Sequence, residues 1–257
     1  RVSDQTKWKL EIDVRSGNYI DGKNAFGVSL GATDGKDNLD YPEPPVFDKY
    51  LSLYSLLKNA KGKKQKITND FRGVSDSLHV WDLILDSKVD QDVATMNLSM
   101  IGDIGTSVVW FIDMQNGQAH DLSQTGISTF SIELGPDQLS NRYKMVYGEA
   151  DEAGAFMRKI VAMIPREFSL GNNYPNPFNP STTIPFTISK PGLAVIDIYD
   201  LNGRHVRRVV NEHLGTGYYS RIWDGKNSQG VPVSSGVYYY GLQTKSFNSY
   251  KKMILIK

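Results

Sequence analysis

Alternation of apolar and polar residues dominates the first half of the chain. In KWKLEIDV, Trp8, Leu10, Ile12 and Val14 fall on one side, and Lys7, Lys9, Glu11 and Asp13 on the other. That is the pattern of a half-buried strand. The same period of two recurs in Met96, Leu98 and Met100, in Val108, Trp110, Ile112 and Met114, and in Phe130, Ile132 and Leu134. LSLYSLL and LHVWDLIL also read as strands, the second apolar on both faces and therefore central. Turn-forming clusters such as RSGNYIDGKN and MQNGQ separate these runs at the spacing of a β-sandwich. Only DEAGAFMRKIVAMI, 151–164, carries helical spacing. Residues 1–150 are therefore expected to form one antiparallel β-sandwich.

After Ile164 the pattern breaks. PREFSLGNNYPNPFNPST is dense in proline and asparagine, and each proline lacks the donor that a central strand requires. Residues 151–180 are expected to be a short helical and Pro/Asn-rich linker. On it, Pro175, Pro177 and Pro180 hold the backbone extended. Tyr174 and Phe178 would pin it to a sandwich edge by burying aromatic area; a plain rigid spacer is the alternative. A second β series fills 181–257: TTIPFTIS, GLAVIDIYD, HVRRVV, GYYSRIWDG, GVYYYGL and YKKMILIK, with Asn- and Gly-rich reversals between them. About seven short strands in roughly ninety residues describe an immunoglobulin-like sandwich. The fold class is all-β: two β-sandwich domains joined by the Pro/Asn-rich linker.

Landmarks recur through this second half. They are Asn173-Tyr174-Pro175-Asn176-Pro177-Phe178-Asn179-Pro180, Ile198-Tyr199-Asp200, Asn202-Gly203-Arg204, Trp223-Asp224-Gly225, Ser235-Gly236-Val237-Tyr238 and Lys252-Met253. In order and spacing the block closely resembles the C-terminal sorting domain of secreted bacterial proteins that leave the cell by the type IX (Por) route. It is also similar to the Ig-like domain of flagellar hook-capping proteins. The resemblance implies a secreted, extracellular and cell-surface-associated protein whose C-terminal domain is read by the type IX machinery. It covers about a third of the chain and is silent on the rest. The 21–45 segment and Asp-Phe-Arg at 70–72 resemble sandwich modules found upstream of such domains, with no activity to carry over.

The landmarks also have readings of their own. Asn202-Gly203 suits a reversal with positive φ, Trp223 alternates into a core or edge position, Asp224-Gly225 caps a turn, and Gly236 bends the chain into the Tyr-rich strand. In SYKKMILIK, Met253 and Leu255 face one way and Ile254 and Ile256 the other. Lysines guard that edge, which is also a handle for strand addition.

Composition narrows the function classes. The 257 residues are 40% hydrophobic and 22% charged, with net charge +1 and no cysteine. Disulfides, thiolate metal sites and a Cys nucleophile are excluded. No general attraction to nucleic acid follows from this charge, and no apolar run is long enough for a membrane span. Residue 1 is Arg with no leader-like segment after it, so the chain reads as cytosolic or as a mature or excised piece. The four histidines, His79, His120, His205 and His213, form no HExxH or close pair, and no G-x-S-x-G elbow exists. No enzyme and no resident cofactor are expected.

Two binding features stand out in the first half. Asp34, Asp37 and Asp40, with Glu43 beyond, sit in a Gly/Asn-rich loop that suits either calcium or plain turn chemistry. Lys58, Lys61, Lys63, Lys64 and Lys66 crowd one loop, either a solvated tip or a contact for anionic polysaccharide or lipopolysaccharide. The expected function is non-catalytic: a binding or adhesion sandwich ahead of a sorting and anchoring domain. The alternatives are a carbohydrate-binding accessory region of a larger secreted hydrolase and a hook-cap-like assembly protein.

Overall fold

The computed structural model describes residues 6–46, 48–59, 61–75, 77–90, 93–123, 127–134 and 141–257. The chain divides into two units, Arg1–Met163 and Ile164–Lys257. In the first, the alternating runs become β1 (Thr6–Ser16), β4 (Tyr50–Lys58), β6 (His79–Lys88), β7 (Val93–Gly102), β8 (Val108–Asp113) and β10 (Ile127–Glu133). Between and beyond them lie β2 (Tyr19–Ser29), β3 (Tyr41–Pro42), β5 (Lys64–Arg72), β9 (Ala119–Asp121) and β11 (Asn141–Gly148). Their order is β10-β7-β1-β2-β5-β4-β6-β11-β8-β9, with β3 on β5.

The two layers expected of a sandwich are here the two halves of this one curled sheet. Trp8 on β1 meets Trp81 on β6 at 6.1 Å and Tyr147 on β11 at 4.6 Å, although several strands separate them along the sheet. At the ends, Phe111 of β8 and His120 of β9 lie 6.3 and 4.3 Å from Phe130 of β10. The sheet thus wraps one core containing Leu10, Ile12, Phe26, Leu53, Leu83 and Met145. One pairing departs from the antiparallel expectation: β2 and β5 run parallel, Ala25 opposite Asn69 through Val28 opposite Arg72. The intervening stretch, with β3 and β4, is the crossover a parallel pair requires.

The helix α1 (Ala150–Ala162) corrects the expected boundary. It does not belong to a linker. Ala153 is fully buried with Ile112 and Val146, and Phe156, Met157, Ile160 and Val161 of the helix pack against that cluster alongside Val80, Val108 and Trp110 of the sheet. An amphipathic helix of this length gains its stability from such packing.

The second unit holds β12 (Ser169–Leu170), β13 (Thr182–Ile188), β14 (Gly192–Asp200), β15 (His205–Leu214), β16 (Gly217–Trp223), β17 (Gly236–Gln243) and β18 (Asn248–Leu255). They form two facing sheets, β12-β13-β16 and β15-β14-β17-β18. Ile184, Phe186, Ile196, Ile198, Tyr240, Leu242 and Met253 fill the space between them.

The Pro/Asn-rich block is a second correction, because it is part of this sandwich and no tether. Tyr174 exchanges both backbone hydrogen bonds with Thr183 of β13, at 2.9 and 2.8 Å. Further along, the Phe178 N–H donates to the Ile254 carbonyl (3.0 Å), and the Ile256 N–H donates to the Phe178 carbonyl (2.9 Å). The Asn176 Oδ1 accepts from the Ile254 N–H. Phe178 is 1% exposed and packs 5.6 Å from Trp223. Residues 173–180 therefore bridge the edges of both sheets. The Tyr174-Pro175, Asn176-Pro177 and Asn179-Pro180 bonds are all cis.

Of the two aromatics expected to pin this block, only Phe178 is buried; Tyr174 is 78% exposed. Phe178→Ala should lower the unfolding free energy of the second unit by about 3–5 kcal/mol, while Tyr174→Ala should change it by less than about 0.5 kcal/mol. Thermal and denaturant unfolding of the two variants checks this; equal, small effects would restore the tether.

Candidate functional site

The polar chemistry of the first unit gathers where β2 and β5 run parallel. Asp70 enters the interior of the curled sheet because it pairs with Phe26, whose ring is in the core. It is fully buried, accepts from the Ser55 hydroxyl at 2.7 Å, and faces the Arg72 Nε at 3.0 Å. Burial pushes its carboxyl up, while Arg72 and Ser55 pull the other way. Arg72 continues outward to the Asp34 carbonyl and lies 5.7 Å from the Trp81 ring.

His79, at 4% exposure, stacks on Tyr147 and adjoins Trp81. Its Nε2 is 3.2 Å from the Ser75 hydroxyl, and its Nδ1 is 3.6 Å from the Asp34 carboxylate. The second distance is too long for a hydrogen bond. Burial lowers the pKa of this imidazole, and the geometry is that of a packed core histidine.

The three aspartates of the candidate calcium loop do not converge. Asp37 accepts from the Thr33 and Leu39 N–H groups at 2.6 and 2.8 Å. Asp40, 5% exposed, accepts from the Asp37 and Phe71 N–H groups at 2.8 and 3.1 Å, which fastens the loop to β5. Asp34 turns its carboxylate toward His79 instead. Among the described residues, no group of three or more His, Asp and Glu side chains is placed to hold a metal ion.

Beside the loop, Glu43 accepts from the Ser52 hydroxyl at 2.8 Å, and Asp21 accepts from the Leu53 N–H. The Glu43 Oε2 is buried without a partner among the described residues.

The lysine run forms the tip between β4 and β5. Asn59 Oδ1 accepts from the Lys61 and Lys63 N–H groups, both at 3.0 Å, and Gly62 takes φ +74°. Lys58, Lys61, Lys63 and Lys64 are exposed at this tip. Lys66 is engaged otherwise, 4.0 Å over the Tyr54 ring and 3.1 Å from Asp86.

In the second unit most landmarks hold the fold. Asn173 is buried; its N–H donates to the Tyr240 hydroxyl at 2.9 Å, and its amide donates to the Pro175 carbonyl and the Thr182 hydroxyl. Trp223, 1% exposed, donates from Nε1 to the Lys226 carbonyl at 2.9 Å. Asp224 accepts from the Lys226 N–H in the turn that follows. Gly225 has φ +68°, and a Cβ there would lie 2.8 Å from the Pro180 carbonyl oxygen, so no side chain fits. Gly203 takes φ +78° in the reversal where Asp200 accepts from the Asn202 and Arg204 N–H groups. Gly236 starts β17 opposite Leu255, and Met253 is fully buried. Asn179, Arg204 and Lys252 are exposed.

The outer face of the four-stranded sheet carries a group that sequence did not single out. Asp197 is 4% exposed and takes a two-pronged contact from Arg208 at 2.8 and 2.9 Å, with His205 Nε2 at 3.1 Å. Burial would raise its carboxyl, but Arg208 and His205 hold it below the ordinary value. The alternation of IDIYD placed Asp197 outward and gave no sign of the two cations across the strand pair.

The carboxylates beside β5 generate a pH dependence. Burial raises Asp40 from 3.8 to about 6 against its two N–H donors. It raises Glu43 from 4.5 to about 7, helped by the charge of Asp21 and opposed by the Ser52 hydrogen bond. The folded chain therefore binds more protons than the unfolded chain between the two sets of values, and stability falls as pH rises through that window. The first unit should unfold at a higher temperature at pH 5 than at pH 8, and Glu43→Gln should flatten the slope. A profile rising with pH over this range would contradict the assignment.

With this geometry in view, residues 181–246 match the FlgD Ig-like domain family. No curated protein matches the chain in sequence. Among solved structures, PorZ is described as an essential surface component of the type IX secretion system of Porphyromonas gingivalis. It is 16% identical, over 57% of this chain and 16% of its own, with a TM-score of 0.27. Dimeric latent PorU of the same organism is 14% identical over 96% of this chain and 29% of its own, with a TM-score of 0.29. The chain thus spans less than a third of either protein, and at these scores the likeness carries no functional argument. Residues 181–246 are similar to an FlgD-type Ig-like domain within an all-β chain.

Proposed function

We propose that this is a non-catalytic secreted protein of the bacterial cell surface. Its second unit acts as a sorting and anchoring domain read by the type IX machinery, and its first unit as a binding or adhesion module. One observation supports the reading above the rest: the landmarks of the sorting-domain resemblance coincide with the residues that close an Ig-like sandwich. Asn173, Asn176, Phe178, Trp223, Gly225 and Met253 are each used in that closure. The resemblance therefore has a physical basis in a whole domain. For the first unit, the exposed lysines 58, 61, 63 and 64 suit an anionic surface polysaccharide or lipopolysaccharide. The FlgD-type match favours a second reading, a hook-cap-like assembly protein; against it, α1 has only 13 residues and is consumed by its own unit.

Deleting residues 164–257 in a bacterium with a working type IX system should leave residues 1–163 inside the cell; normal export and surface retention of the truncated chain would refute the sorting role. Because Asp37 and Asp40 already serve backbone donors, millimolar calcium should leave the thermal midpoint where chelator leaves it, and a calcium-dependent rise would reassign the 33–40 loop as a metal site.

A further inference from the structure

The edges of the second unit are treated unequally. The outer edge of β18 is fastened at Ile254 and Ile256 by Asn176 and Phe178, and Lys251 and Lys252 precede that stretch. On β15, Val206 gives its carbonyl to the N–H and hydroxyl of Ser228, at 3.0 and 3.1 Å, and Arg207 and Arg208 follow. The β12 edge is two residues long. These are familiar ways of blunting an edge. The remaining edge, β16, is seven residues long and carries one charged side chain, Arg221, which reaches the Ser220 carbonyl and Glu212.

Register shows which backbone groups β16 leaves open. Thr183 bonds Tyr174, and Pro185 accepts from the Gly171 N–H at 2.8 Å, so both direct their backbone groups away from β16. Thr187 opposite Ser169 has the same parity. In an antiparallel pair, the residues facing such positions are non-hydrogen-bonded and turn their own N–H and C=O outward. Those residues are Ile222, Ser220 and Tyr218. Proline at 185 fits this register, since no donor is needed toward β16.

Among the described residues, the outward groups of Tyr218 and Ile222 meet no backbone partner, and the Ser220 carbonyl receives only the Arg221 guanidinium at 3.1 Å. The same two residues expose their side chains, 70% for Tyr218 and 68% for Ile222. Tyr174, the exposed aromatic of the Pro/Asn-rich block, extends the row through Thr183 to Ile222.

We propose that β16 is the strand-addition edge of this unit, taking an extended peptide of a partner protein that carries apolar side chains at alternate positions. The open donors and acceptors require a strand, and Tyr218 and Ile222, four residues apart on one face with Ser220 between them, call for apolar side chains along the matching face of that strand. A seven-residue edge is roughly 23 Å long, and at a strand spacing of about 5 Å an added strand has a footprint on the order of 100 Å², far less than the interface of about 1,200 Å² that a stable dimer needs. That favours a short peptide over a second copy. The proposal goes beyond the sorting reading and does not depend on it.

The test uses the full chain and a labelled peptide, Lys-Val-Thr-Val-Thr-Val-Lys, whose outer valines are four residues apart on one face, followed by fluorescence anisotropy. Saturable binding is expected. Ser220→Pro removes an outward donor that the β13 ladder does not use, and Ile222→Lys places a charge on the edge; each should weaken binding roughly tenfold or more with the thermal midpoint retained. Lys252→Glu on β18 should leave affinity unchanged. Absence of saturable binding, full affinity in either folded β16 variant, or loss caused by Lys252→Glu would overturn the assignment. Self-association of the wild type in sedimentation, abolished by Ile222→Lys, would overturn the partner peptide in favour of a second copy.

Discussion

The second unit depends on a seam in which the start of the domain is fastened to its end. Phe178 inserts its ring beside Trp223 while its backbone pairs with Ile254 and Ile256. Desolvating an aromatic side chain and closing an open strand edge are accomplished by the same residue, so the buried ring holds the backbone in place to pair. The surrounding asparagines complete the seam, Asn173 through the Tyr240 hydroxyl and Asn176 through the Ile254 N–H. Tyr240 in turn donates to the Gly171 carbonyl at 2.8 Å, which ties the central strand β17 to the incoming chain. A functional consequence follows for strand addition. The last strand, which sequence alone offers as a handle, is occupied at its end by its own domain, and the open backbone lies on β16.

The first unit solves a different problem. Its parallel pair β2–β5 demands a long crossover, which contributes β3 and β4 to the same sheet and carries carboxylates at 37, 40 and 43. Asp40 and Asp37 satisfy backbone donors of the loop and of β5, and Asp40 does so from a buried position. The cost appears as carboxylates held in poor solvent, raised toward neutrality by burial. Inside the curled sheet Asp70 pairs with Arg72, whose guanidinium reaches the Asp34 carbonyl of the crossover. These groups read as fasteners of the crossover.

Much of this was legible in the sequence, and the exceptions have physical causes. Strands that alternate cleanly, such as Trp8 to Val14 and Met96 to Met100, lie where the period placed them because one face of each is buried in the core. β2 was obscured because Gly22 and Gly27 interrupt its alternation and it is buried on both faces toward its end. β5 was obscured because KQKITND is polar and its burial arises from a parallel neighbour that no local pattern announces. α1 carried the right period, but the spacing of a helix says nothing of which sheet it will cover. Tyr174 and Phe178 show the limit most sharply. Both are aromatics in one Pro/Asn-rich block, and only the register of that block against β13 and β18 turns one into solvent and the other into the core.

The most direct measurement is amide hydrogen exchange at Phe178, Ile254 and Ile256 in the native protein. If the Asn-Pro block is the closing seam of the sandwich, these amides exchange with the protection of the core strands β14 and β17, limited by opening of the whole unit. Exchange at the rate of a free extended segment, with β14 and β17 still protected, would show that residues 173–180 are a spacer after all.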